Sequence, residues 1–483
     1  MDNLACKCHV SERKTSRRKL LFQFGGGIAG LALCDILGRQ GLLAAELASN
    51  SPLAPKQPHF PGKARAVISL FMNGGASHVD TFDPKAELTR HHGEAPPKSM
   101  NIETFFPYPG TFLKSPFTFR HYGESGLEVS ELFSHTAEFA DEMAIIRSMR
   151  AISNNHTPAI LQMMTGVIQP GRPCLGSWAV YGLGTENQNL PAFVVLLDNK
   201  GGPLGGAQNW SAGFMPAAYQ GTAFRNSGTP IADLASPPMV EQTQQRARLD
   251  FIRTLNDFHI EENRGDQELA ARIASYELAY RMQSDAPEAV DLTGESDTTK
   301  KLYGLDDPVC EHFGRNCLLA RRLVERGVRF VQLFGGANAG DDSWDAHGDI
   351  EKNHRMRAAP VDKPISGLLK DLKSRGLLNS TLVVWHTEFG RLPISQSIRG
   401  RDHNPKGFSV WMAGAGINPG QVIGATDDFG YATVSEPHSI NDLHATILHL
   451  LGFDHTRLTY TYNGRPFRLT DVSGEVIEKV LKS

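Results

Sequence analysis

The feature that most constrains this chain is a set of short, nearly continuous apolar runs, each ending where glycine or polar residues begin. Ala66 to Met72 (AVISLFM) stops at Asn73-Gly74-Gly75, and comparable runs recur at Met143 to Ile146, Ala192 to Leu197, Val328 to Phe334, Thr381 to Trp385 and Ser409 to Ala413. A strand that is apolar on both faces belongs inside a sheet covered on both sides, which is the usual situation of parallel strands. Helical patterns lie between the runs, at Glu131 to Asp141, Pro158 to Met164, Phe313 to Glu325, Ile365 to Ser374 and Ile440 to Leu451. The alternation predicts an α/β fold, a three-layer sandwich with a mostly parallel central sheet. From about 239 to 285 the chain turns charged and helical without strand signals, which reads as a helical insertion.

Composition narrows the partners. The chain has 483 residues, 40% of them hydrophobic, too apolar for a disordered polymer. Its 49 Lys+Arg against 52 Asp+Glu give a formal net charge of -3, which offers no global field for nucleic acid or an anionic bilayer.

The N-terminus reads Ser16-Arg17-Arg18-Lys19-Leu20-Leu21, then a Gly-rich, weakly charged stretch from Phe22 to Leu37 and small residues at Leu43-Ala44-Ala45. This resembles a twin-arginine export signal, an address read by the export machinery. The apolar part is broken by Gly25, Gly26, Gly27, Gly30 and Asp35 and is shorter than the ~20 residues needed to span a bilayer. Residues 1–47 are therefore expected to be a signal peptide, 48–63 a Pro-rich linker and 64–483 the folded domain, periplasmic or extracellular and without a spanning segment. Removing the signal leaves Cys174, Cys310 and Cys317. Three cysteines cannot make a disulfide framework, and core packing is the expected role of Cys310 and Cys317.

In sheets of this kind reactive groups gather on loops beyond the carboxyl ends of the strands. Several His-rich and acidic loops fall there. Asp80 and Asp83 follow the first run, where a carboxylate can ligate a metal or cap a turn. His156 and Thr157 precede Pro158, and Gly166 is placed to end the helix. Asp341-Asp342-Ser343-Trp344-Asp345-Ala346-His347 follows another run, and Asp345 and His347 can converge on one cation. Thr381 to Trp385 delivers His386-Thr387-Glu388-Phe389-Gly390-Arg391, and Gly400-Arg401-Asp402-His403-Asn404 follows as a turn just before the run Ser409 to Ala413. Carboxylate oxygen with imidazole nitrogen suits zinc, manganese or iron, whereas calcium prefers more oxygens. Arg391 and Arg401 either grip an anionic substrate or sit in structural ion pairs.

The order of these pieces resembles the alkaline phosphatase and sulfatase superfamily. More closely, the words GGASHVDTFDPK, NNHTPA with MMTG, WDAHGD, TEFGR, GRDHNPKGFSVWMAGAG and NDLHATILHLLG look like the exported sulfatase-like family catalogued as domain of unknown function 1501. The resemblance implies an alkaline phosphatase-like sandwich. It implies Asp80 as the first-strand metal ligand, Asp345 with His347 as loop ligands of the other metal position, and His403 as the late ligand. Glu388 and Phe389 stand where the superfamily has an Asp-His pair, so one ligand is exchanged and one is lost. His156 stands at the nucleophile position, as ligand or covalent acceptor, with Thr157 one residue later. The function so implied is metal-dependent hydrolysis of phosphate or sulfate esters on a small molecule or a glycan, with a divalent cation, zinc first, manganese or calcium as alternatives. The competing reading is a non-catalytic exported protein that keeps the fold for binding or assembly.

Overall fold

In the computed structural model the residues described are 52–107, 110–225, 231, 242–262 and 267–482. The expected signal peptide, with Arg17 and Arg18, lies outside them, as do residues 48–51 and 239–241. The central sheet is built from β1 (Ala66–Phe71), β2 (Met143–Arg150), β3 (Phe193–Leu196), β4 (Thr222–Phe224), β5 (Phe330–Phe334), β6 (Thr381–His386), β9 (Phe408–Gly414), β10 (Gln421–Ile423) and the short β11 (His438–Ser439). Between β6 and β9 the chain makes a separate two-stranded ribbon, β7 (Gly390–Gln396) and β8 (Gly400–Asn404). Across the sheet the order is β10-β2-β9-β6-β1-β5-β3-β4, with β11 also on β2. Only β9 runs against the rest, antiparallel to both β6 and β2.

Both faces of the sheet are covered, as the uninterrupted apolar runs require. Along β1, Ile68 and Leu70 pack into one core with Cys317 and Leu318 of the helix Glu311–Glu325 and with Ile365 and Leu368 of Asp362–Ser374. Val67 and Phe71 point the other way, toward Ile160 and Met163 of His156–Thr165, Trp178 of Leu175–Leu183 and Leu443 of Ile440–Leu450. The last of these helices is held open at its start by a reciprocal capping box between Ser439 and Asp442. Cys174, Cys310 and Cys317 are free and buried.

Three local expectations are corrected. The helix expected over Glu131 to Asp141 is two 3-10 turns, Glu131–Phe133 and Thr136–Glu142. The Asp362 carboxylate takes the N–H groups of His135 and Thr136 at 3.0 and 2.8 Å and restarts the chain there. The helix expected to open on Thr157-Pro158 opens on His156 with Asn155 as N-cap, and Gly166 ends it at φ 81°. The Gly400 to Asn404 segment is a strand, paired with β7 so that His403 faces Arg391.

The charged region forms two helices, Gln242–Glu262 and Gln267–Val290, tied by Arg246 to Glu277 at 3.1 Å. The described part of the expected linker carries domain contacts. Leu53 is buried, and the Lys56 and Phe60 N–H groups donate to Leu183 and Gly452 at 2.8 and 3.1 Å. Among the described residues no helix is long and apolar enough to cross a membrane.

Candidate metal centre

Loops leaving β1, β2, β5 and β6, together with the β7–β8 ribbon, meet at the carboxyl end of the sheet. The loop after β1 passes under the site through Gly74 and Gly75, at φ 111° and 76°. A side chain there would be strained by its backbone, and a Cβ would also lie 2.7 Å from Ser343 or from Phe389. Their carbonyls accept hydrogen bonds from Arg391, whose Nε reaches Gly75 O at 2.8 Å.

Four of the predicted residues form one cluster: ligand atoms of His156, Asp345, His347 and His403 all lie within 4.8 Å of one another. Asp345 Oδ1 is the focus. It lies 2.8 Å from His347 Nε2 and 3.3 Å from both His156 Nε2 and His403 Nε2. Each ring is held from behind through Nδ1. His156 Nδ1 meets Glu388 Oε1 at 2.7 Å, His403 Nδ1 meets Asn154 O at 2.6 Å, and His347 Nδ1 meets Gln396 Oε1.

These contacts pose a proton problem. A neutral imidazole has one N–H, yet the rings of His156 and His403 each face a fixed acceptor at both nitrogens, Glu388 or a backbone carbonyl behind and Asp345 in front. Satisfying both with protons alone requires two imidazolium ions around one carboxylate, beside the buried guanidinium of Arg391. His403 resists that charge: burial first, then Arg391 and His156, lowers its pKa to about 3. His156 Nε2 is buried without a hydrogen-bond partner. A divalent cation taking three Nε2 lone pairs and the Asp345 carboxylate removes the conflict, because each Nδ1–H then serves the acceptor behind it. Metal-bound histidines are commonly oriented in this way. The residues present therefore fit one cation.

The electrostatics agree. Burial opposes the charge on Asp345, but Arg391 Nη2 at 2.7 Å and the surrounding imidazoles overturn that and hold the carboxyl far below its usual range. His156 moves the other way: burial disfavours its charged form, and Asp345 and Glu388 more than offset that.

The remaining predicted residues are nearby in other roles. Glu388 is fully buried, with Oε1 on His156 and Gly74 N–H and Oε2 on Thr387 and the same N–H, so it orients a ligand instead of binding the cation. Asp80 is not in the cluster. It forms a fully buried ion pair with Arg401, Oδ2 to Nε at 2.7 Å and Oδ1 to Nη2 at 3.2 Å, and takes the Ser77 hydroxyl at 2.5 Å. Burial opposes its charge, yet Arg401 keeps its pKa lowered. Arg401 and Arg391 are unexposed and spend their remaining donors on backbone oxygens such as Leu392 O, Leu113 O and Arg401 O, which leaves neither offered to a substrate. Thr157, the second residue of its helix, is partly exposed beside His156.

Four contributors escaped the sequence reading. Gln396 and Asn154 hold two of the rings, and Phe105 and Phe106 flank them with ring centroids 5.0 Å from His403 and 5.1 Å from His347.

The model of the family described as "Protein of unknown function (DUF1501)" matches residues 64–481. No curated protein matches the chain. Among solved structures, Ps i-CgsB in complex with k-i-k-neocarrahexaose is similar at 10% identity and TM-score 0.36, over 81% of this chain and 72% of that one. The PsFucS1 sulfatase from Pseudoalteromonas sp. is similar at 13% identity and TM-score 0.32, over 83% and 68%. A magnesium-bound mutant of TAB5 alkaline phosphatase is similar at 10% identity and TM-score 0.31, over 82% and 100%.

Proposed function

The chain belongs to the DUF1501 family across residues 64–481, and from the cluster at its strand ends we propose that it is a single-cation hydrolase of phosphate or sulfate esters. The observation that carries this reading is the convergence of three back-supported Nε2 atoms on one oxygen of Asp345. Three imidazoles and a carboxylate suit zinc best. A cation held there supplies Lewis acidity toward an ester oxygen.

The protein's residues do the rest. Arg391 fixes Asp345 and keeps a permanent positive charge beside the cluster. Glu388 fixes the ring of His156 through Nδ1 and leaves Nε2 directed at Asp345 and the cation position, so the ring acts as a holder, not as a covalent acceptor. The ester bond is then cleaved by water, releasing an alcohol and the inorganic anion. The start of His156–Thr165 adds the positive end of a helix dipole next to the cluster.

The zinc-loaded full chain, assayed against a panel of phosphate and sulfate esters beside an Asp345→Asn variant, tests this. Turnover that depends on Asp345 supports it. A second reading, a binding or assembly module, is favoured by the consumption of Arg391 and Arg401 in internal bonds. It predicts stoichiometric metal and no turnover of any ester. Export in folded form to the periplasm or beyond, through Arg17-Arg18, belongs to the same proposal and rests on the N-terminal sequence.

A further inference from the structure

A cavity of about 10 Å³ lies inside the core, where β1 and β6 meet the helices His156–Thr165 and Ile440–Leu450. Its walls are largely apolar, Val67, Val384 and Leu443 among them, and the polar side chains lining it are those of Ser69, His386 and His444. All three are buried. Both rings nevertheless keep one nitrogen, Nδ1, that is buried with no hydrogen-bond partner among the described residues.

The opposite nitrogen of each ring decides what its Nδ1 can do. His444 Nε2 lies 2.8 Å from Met163 O. A carbonyl only accepts, so Nε2 carries the ring's proton. Burial lowers this histidine to about 4, which keeps it neutral and makes its Nδ1 a bare lone pair. His386 Nε2 lies 2.6 Å from Ser69 Oγ, a hydroxyl that can give or take a proton. Burial first, then His444, lowers His386 to about 3, so it is neutral as well. Its Nδ1 is a donor or an acceptor according to which way the Ser69 hydroxyl points.

These constraints select the occupant. It has to donate to His444 Nδ1, and to pair with His386 Nδ1 in either sense. A cation would find no carboxylate among the described residues lining the cavity, and an anion no charged donor. An apolar molecule would leave both nitrogens unpaired in the core, which is unfavourable. The volume is roughly the 10–15 Å³ that one water requires, and water both donates and accepts.

We propose that one water molecule bridges His386 Nδ1 and His444 Nδ1, and that the bridged pair braces the two elements that set His156. His386 closes β6 two residues before Glu388, whose carboxylate holds the His156 ring. His444 holds Met163 O, on the helix that His156 opens. The bridge ties the holder of the ring to the helix that carries it. His386 and His444 are positioning residues and stand outside the cluster of ligand atoms. The bracing rests on the metal-centre reading, whereas the bridge itself does not.

A high-resolution crystal structure of the full chain tests the bridge without reference to metal. One peak is expected at hydrogen-bond distance, about 2.7–3.2 Å, from both Nδ1 atoms. No peak, a peak on one ring alone, or a peak that anomalous scattering identifies as a metal overturns it. Chelator competition for zinc tests the bracing. His444→Leu removes both ring nitrogens and should weaken zinc binding roughly 3- to 10-fold in folded protein, with stoichiometry at saturation unchanged. His444→Gln, whose amide can donate to Met163 O and accept from the water, should restore most of the loss. Equal affinity in the wild type and His444→Leu, or no recovery in folded His444→Gln, overturns the bracing. A wild type that binds no zinc counts against the metal centre, and the crystallographic peak then decides the bridge by itself.

Discussion

Glu388 Oε1 accepts the Nδ1–H of His156 at 2.7 Å, which puts the carboxylate behind the ring and turns Nε2 toward Asp345. In this arrangement Glu388 stands behind the ring, outside the cluster of His156, Asp345, His347 and His403. Glu388→Gln keeps the size and one acceptor oxygen but removes the charge that strengthens the ring as a donor. Zinc affinity, measured by chelator competition, should fall about 10- to 100-fold while stoichiometry at saturation stays unchanged. Unaltered affinity would remove Glu388 from the metal centre.

Asp80 and Arg401 provide the opposite case. With both side chains unexposed, Asp80→Asn leaves a buried guanidinium without its counter-charge. The variant should lose about 3–5 kcal/mol in urea unfolding, with zinc bound per folded chain as in the wild type. Loss of zinc affinity without loss of stability would instead make Asp80 a ligand.

This pair also shows where sequence reading stops. The apolar runs foretold the sheet strands closely: Thr381 to Trp385 became Thr381–His386, and Ser409 to Ala413 became Phe408–Gly414. Each run is set by burial on both faces, a local property of the sequence. Asp345 and His347 were legible because they stand in the loop that follows a sheet strand, and His403 because it stands just before one. Whether a carboxylate there meets a cation or an arginine depends on a partner far away in sequence, 321 positions in the case of Asp80 and Arg401. Gln396 and the Phe105–Phe106 pair carried no signal, since neither belongs to an apolar period or a metal-ligand spacing. Reading Gly400 to Asn404 as a turn hid the ribbon that brings His403 opposite Arg391.

Acid should destabilise the fold through buried histidines outside the cluster. His354 Nε2 accepts the Ser77 N–H at 3.0 Å and His386 Nε2 lies 2.6 Å from Ser69 Oγ; burial lowers both from 6.5 to about 3. A depressed folded value means the unfolded chain takes up protons first. The stabilisation is complete above pH 6.5 and drains as pH falls toward 3. The slope is about 1.4 kcal/mol per pH unit for each ring. Urea titrations of chelator-treated protein between about pH 7 and pH 4 should show it. A flat profile would mean that both rings take up protons in the folded state as readily as in the unfolded chain.

Export should depend on the paired arginines. Replacing both, Arg17→Lys with Arg18→Lys, should retain the protein in the cytoplasm, as seen by fractionation and immunoblotting. Undiminished export of the double variant would assign a different route.

Zinc K-edge X-ray absorption on the purified, zinc-loaded chain, with elemental analysis of the same sample, tests the four-residue centre most directly. One zinc per chain is expected, with N/O ligands at about 2.0–2.1 Å and multiple scattering from three imidazoles, a pattern that loses one imidazole in His347→Ala. A chain that retains no zinc, or a spectrum without imidazole scattering, would contradict the centre formed by His156, Asp345, His347 and His403.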